Sequence, residues 1–109
     1  MATEIEGWPI KTILSHIKEL YDKEGLSSAW PGEAAGVEEA IIAIAGHLRK
    51  RYSYRVALGV GGSGIVLRLK DILFPSMDAA LKFSRPSPGT ALILAEMLGG
   101  ATFAPNASG

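Results

Sequence analysis

The chain has 109 residues, 48% hydrophobic and 20% charged, with no cysteine and a formal net charge of zero. That length holds one ordinary domain, the missing cysteines exclude disulfides and thiolate metal sites, and no apolar run approaches the ~20 residues of a membrane span. The zero charge hides a split, because residues 1–48 carry eight acids against three bases and residues 49–109 carry eight bases against three acids.

The N-terminal residues lack the basic region and single apolar block of an export signal, and a cysteine-free chain without one reads as cytoplasmic. Between Pro9 and Glu24, the residues Ile10, Ile13, Leu14, Ile17, Leu20 and Tyr21 recur at steps of three and four, which predicts an amphipathic helix entered at Pro9 and stopped by Gly25. "LSSAWPGEAAG" is dense in turn formers and reads as a connector. A second helix is expected from about Val37 to Arg51, with Glu38 and Glu39 in its first turn and Arg49, Lys50 and Arg51 in its last, a charge order that complements the helix dipole.

From Tyr54 the apolar period shortens to two. Tyr54, Val56 and Leu58 alternate with Arg55 and Ala57, and after a glycine loop Ile65, Leu67 and Leu69 alternate with Val66, Arg68 and Lys70, so two strands joined by that loop are predicted. "ILFPSMD" reads as a turn around Pro75, "AALKFS" as a third strand, "RPSPG" as its break and "TALILAEML", from Thr90, as a helix. The division expected is a helical region over 1–52, a sheet region over 53–98 and a Gly/Ala-rich tail over 99–109.

Between these strands stands "ALGVGGSGIV", residues 57–66. Glycines at this density serve either an ordinary hairpin turn or the close approach of backbone to a ligand. A Walker loop needs Gly-Lys-Ser or Gly-Lys-Thr at its end, and Gly64 is followed by Ile65 and Val66, which excludes it. A dinucleotide loop needs a helix after the last glycine and an acid ending the next strand, whereas "IVLRLKD" alternates and "ALKFS" ends without an acid.

A third option is a strand-loop-strand flap over the phosphates of ATP, followed by a strand lysine, in the pattern G-x-G-x-x-G-x-V and then V-A-I-K. Gly59, Gly61, Gly64 and Val66 have that spacing, and "AALK" ends at Lys82. Strand parity puts Ala80 and Lys82 on one face and Ala79, Leu81 and Phe83 on the other.

On "LGVGGSGIV" and "AALK" together, residues 54–98 resemble the N-terminal lobe of the protein kinase superfamily, of serine/threonine type. The resemblance implies an α+β fold, an antiparallel sheet with one helix, here preceded by a helical hairpin. It implies that Leu58 and Val66 enclose adenine with Ala80, that the backbone from Gly59 and Val60 through Gly61, Gly62, Ser63 and Gly64 covers the phosphates, and that Lys82 holds the α- and β-phosphates. Ser63 stands where many members carry an aromatic residue. The family pairs its lysine with a glutamate on the next helix, for which Glu96 is the candidate, beside the plainer reading of a solvated helix acid.

The chain has no His-Arg-Asp or Asp-Phe-Gly pattern, and its aspartates are Asp22, Asp71 and Asp78. The catalytic base and the Mg²⁺ ligands of a kinase are therefore expected in a missing C-terminal lobe, and the chain is expected to be part of a longer kinase that phosphorylates protein hydroxyls. A non-catalytic interaction module, with a protein partner on the N-terminal helices, is the other reading.

His16 and His47 have no ligand partners at metal-site spacing, which favours packing or surface roles. "RKRYSYR", residues 49–55, mixes bases with tyrosines as nucleic-acid surfaces do, but a helix end followed by an edge strand explains it as well. Trp8-Pro9 and Trp30-Pro31 read as helix-entry or loop anchors, and Met77 and Met97 as core fillers.

Overall fold

A computed structural model describes residues 4–61, 64–84 and 94–98. The order is β1 (Glu4–Ile5), β2 (Trp8–Pro9), α1 (Ile10–Lys23), a 3₁₀ turn (Ser27–Ala29), α2 (Trp30–Leu48), β3 (Tyr52–Gly61), β4 (Gly64–Asp71), β5 (Asp78–Ser84) and β6 (Leu94–Leu98). β1 and β2 form a small ribbon, and the other strands form one antiparallel sheet in the order β3-β4-β5-β6. The chain is α+β, with a helical pair before an antiparallel sheet.

α1 forms where the apolar stripe places it, burying Ile10, Ile13, Ile17 and Tyr21. Its end is fixed by Gly25 at φ +76°, whose amide bonds Asp22 O at 3.2 Å while Leu26 N bonds Tyr21 O at 2.7 Å. That pair of bonds is a Schellman stop, which needs the left-handed residue glycine supplies.

α2 begins seven residues earlier than the turn-forming composition of "LSSAWPGEAAG" suggests, at Trp30 in place of Val37. Pro31 fits a first helical turn, where its missing N–H has no partner to lose, and Glu33 places an acid there. Packing then secures the start, because the Trp30 and Tyr21 rings meet edge to face at 5.0 Å and the Tyr21 hydroxyl donates to Glu33. The helix also ends earlier, at Leu48, and residues 49–51 turn with Arg51 N bonded to Leu48 O at 3.0 Å.

Alternation along β4 and β5 is strict. Ile65, Leu67, Leu69, Ala79, Leu81 and Phe83 are buried, and all of these but Ala79 join Trp8, Ile13, Ile17, Val37 and Ile41 in one core. Each of the buried Val, Ile, Leu and Phe side chains contributes about 1.5–3 kcal/mol by leaving water. The acidic helical half thus covers one face of the basic sheet and, among the described residues, not the other. Trp8 ties the halves together, with its indole N–H donating to Tyr52 O at 3.0 Å.

The last strand corrects the sequence reading. Leu94–Leu98 is a strand paired with β5, where the periodicity of "TALILAEML" suggested a helix. Five residues of mixed apolar character fit either state, and pairing with the exposed edge of β5 decides between them. Thr90–Ile93, the "RPSPG" break and the tail over 99–109 lie outside the described residues.

Tyr54 links sheet to helix: its hydroxyl and His16 Nδ1 are 2.7 Å apart. Burial pushes the phenol up to about 12, partly offset by the Ala57 backbone amide. A folded-state value above the unfolded one means this contribution is whole below pH ~10 and is lost as pH rises through about 12. Urea midpoints from pH 8 to 11.5 should therefore fall more steeply above pH ~10 for the native chain than for Tyr54→Phe. Parallel curves would exclude Tyr54 as the source.

Candidate functional site

The sheet carries its candidate residues in transverse rows. Register pairs Gly59 with Val66, Val66 with Lys82 and Lys82 with Glu96, so one row crosses all four strands. The adjacent row on the same face is Val56, Arg68, Ala80 and Leu98. Between them run the core rows, such as Ala57, Leu67, Leu81 and Met97. Val66, Ala80 and Lys82 are accordingly only partly covered, and the parity expected for "AALK" is found.

β3 is irregular where it meets this face. Register shifts between Tyr54 and Val56 and between Ala57 and Gly59 add twist and turn side chains outward. Val56 is 41% and Leu58 47% exposed. Val66, the register partner of Lys82, and Ala80, two residues before it on β5, thus put apolar side chains beside the lysine, and Val56 and Leu58 add exposed apolar surface on β3. Such a surface suits a flat apolar ring bearing an anionic group.

The glycines divide into two kinds. Gly64 is buried at φ +151°, and a Cβ there would land on the Phe83 carbonyl oxygen, with Phe83 C at 3.0 Å and Ser84 Cα at 3.1 Å. Its identity is dictated by the close approach of β4 to β5. A Cβ at Gly59 or Gly61 meets nothing within 4 Å, and neither has a positive φ. Sheet packing therefore does not account for glycine at 59 and 61. Gly62 and Ser63, at the loop tip, lie outside the described residues.

The segment after Gly64 is a strand over its whole length to Asp71, so no helix begins directly after the loop. That excludes the dinucleotide arrangement, which places the pyrophosphate there. Glu96 stands on β6 as the register partner of Lys82, not on a helix. Sequence could not show this, because the partner arrives by strand pairing and not by helical spacing.

Three further charged residues bound the face. Asp78 pairs with Arg55 at 3.4 Å and with Arg68 at 3.8 Å, all on partly exposed side chains. These pairs fix where the basic side chains lie more than they stabilise the fold. Alternating residues on β4 carry no special pattern at Arg68, so its place beside Ala80 emerges only from the register.

A groove of about 450 Å³ runs between α1 and β3, lined by His16, Glu19, Leu20, Lys23, Val56 and Ala57, so Val56 borders both the groove and the sheet face. It includes neither Lys82 nor Ala80. Among the described residues there is no cluster of three or more His, Asp or Glu side chains able to hold a metal ion, and no helix is long and apolar enough to cross a membrane. His47 is exposed, and Met97 packs partly against the core.

Comparison with protein-family models, with curated proteins and with solved structures finds no match for this chain.

Proposed function

We propose that the open sheet face is a nucleotide-binding surface for ATP, and that the chain serves as the N-terminal lobe of a serine/threonine-type protein kinase. The supporting observation is the row Gly59–Val66–Lys82, with Ala80 in the next row, on the one face of the sheet that the helices leave uncovered. Adenine would lie on Leu58, Val66 and Ala80, and the Lys82 ammonium would meet the α- and β-phosphates. Backbone from Gly59 to Gly64 would close over them, because Gly59 and Gly61 present no side chain to hold a ligand away. Glu96 would orient the lysine from the neighbouring strand. Mg²⁺ and the catalytic base would come from the lobe that carries the missing motifs, so this chain binds nucleotide without transferring phosphate.

The interaction-module reading has less support, since the apolar stripe of α1 is consumed by the chain's own core. Titration of Mg-ATP into the native chain, Lys82→Ala and the surface control Lys11→Ala separates the two. Losing a charge-assisted phosphate contact weakens binding about ten- to a hundredfold in Lys82→Ala and leaves Lys11→Ala unchanged. Equal affinity in all three chains would sink the assignment. Glu96→Gln gives a smaller loss if it positions the ammonium.

A further inference from the structure

The β4–β5 turn is an apolar tip, with Ile72 46%, Leu73 62% and Phe74 52% exposed. Three large hydrophobic side chains in succession on a turn are unusual for a soluble surface, and when such a patch is rimmed by polar groups it marks an interaction site. The rim here is basic. Ile72 N bonds Arg51 O at 2.7 Å, which holds the tip against the turn of Arg49, Lys50 and Arg51, and Lys70 precedes it on β4. Arg49, Lys50 and Lys70 are exposed. The acids at this end are already engaged, Asp71 by Arg51 at 3.0 Å and Asp78 by Arg55 and Arg68. Glu6, on the β1–β2 turn, meets β3 further along, where Gly7 O accepts from Tyr54 N.

The backbone of the tip is also prepared for a dry environment. Ile72 N is satisfied by Arg51 O, Leu73 N and Phe74 N both donate to Asp71 Oδ1 at 3.0 and 3.1 Å, and Pro75 has no N–H. Met77 N returns to Phe74 O at 2.8 Å. Residues 72–75 therefore bring no unsatisfied amide donor with them, which removes one of the two backbone demands, donors and carbonyls, that keep a loop out of hydrocarbon. Arg51 lies over the Phe74 ring at 5.3 Å and further fixes the geometry.

We propose that this tip docks on an anionic lipid surface, with Ile72, Leu73 and Phe74 entering the headgroup and acyl boundary while Arg49, Lys50 and Lys70 meet the lipid phosphates. Cations alone would serve a nucleic acid or an acidic protein equally. The exposed aliphatic and aromatic side chains, on a backbone with its donors already bonded, favour the bilayer. Lys70 shares the sheet face of Ala80, but it stands four residues along β4 from Val66, the register partner of Lys82, and the tip lies beyond the end of that strand, so this surface does not depend on the nucleotide reading.

The test is co-sedimentation of the full chain with large vesicles of phosphatidylcholine alone or with phosphatidylserine at three to one. The native chain should partition onto the anionic vesicles and little onto the neutral ones, with binding falling as salt rises. Leu73→Asp with Phe74→Asp, both exposed and so without cost to the core, should lose partitioning by about tenfold or more, and Lys50→Gln with Lys70→Gln by a similar factor. Phe74→Trp should show quenching by brominated lipid chains. No partitioning of the native chain, indifference to phosphatidylserine, or undiminished binding by the Leu73/Phe74 variant would overturn the proposal. So would tighter binding to single-stranded oligonucleotide or an acidic peptide that ignores that variant.

Discussion

Gly64→Ala unfolds the chain or lowers its stability by about 3–5 kcal/mol, while Gly59→Ala and Gly61→Ala each change it by less than about 1 kcal/mol. All three glycines belong to one motif, so the contrast comes from structure alone. At Gly64 the added methyl would fall on the Phe83 carbonyl, part of β5 backbone that cannot rotate away as a flexible side chain could. Relief requires β4 and β5 to part where Gly64 opposes Ser84 and Ile65 opposes Phe83, which opens the core beneath. The φ of +151° adds conformational strain for any other residue. At Gly59 and Gly61 the methyl meets open space, and reduced freedom in the unfolded chain offsets any local cost. Urea denaturation at constant m-value reads both outcomes. On the nucleotide-binding reading, Gly61→Ala should fold normally and yet bind Mg-ATP more weakly than the native chain, a loss that stability does not explain. If Gly61→Ala destabilised the fold by 2 kcal/mol or more, its glycine would be structural and would lend the binding surface no support.

What sequence could disclose follows from how local each signal is. Ile10, Ile13, Ile17 and Tyr21 announce α1 because one helix face is written in consecutive turns, and the alternation from Ile65 to Leu69 announces β4 in the same way. α2 was legible only from Val37, since Trp30 to Gly36 is helical through a proline in the first turn and a ring contact to Tyr21, neither visible as periodicity. β6 carries a helix-like pattern in sequence, but its state depends on the edge of β5. At the candidate site, "AALK" places Ala80 and Lys82 on one face, but the companions Gly59, Val66 and Glu96 are set by register, which spacing along the chain does not determine. The different reasons for Gly59, Gly61 and Gly64 likewise need coordinates.

Asp71→Asn lowers the melting temperature by roughly 10 °C at neutral pH and speeds hydrogen exchange at the Leu73 and Phe74 amides. Asp71 is 2% exposed, yet it accepts from Arg51 Nε and Nη2 at 3.0 Å each and from the amides of Leu73 and Phe74. These partners account for all its acceptor demand, so the buried charge is tolerated. The Arg51 hydrogen bonds hold its carboxyl below the ordinary range against the opposing effect of burial, and the Phe74 and Leu73 amides add to the lowering. Because the folded value lies below the unfolded one, the contribution is complete above pH ~4 and is lost as pH falls through the folded value. The gap between native chain and Asp71→Asn should therefore be widest near neutrality and close in acid. A gap of constant size from pH 7 to pH 3 would assign the stabilisation to shape and the amide bonds alone. An asparagine oxygen in the place of Oδ1 can still accept from the Leu73 and Phe74 amides and Arg51 Nε, without the carboxylate's charge, but its NH₂ group then faces Arg51 Nη2, a donor against a donor. Arg51 then loses its second hydrogen bond and the charge that holds it, which loosens the tip against the turn at residues 49–51 while the Ile72 N–Arg51 O bond still joins them.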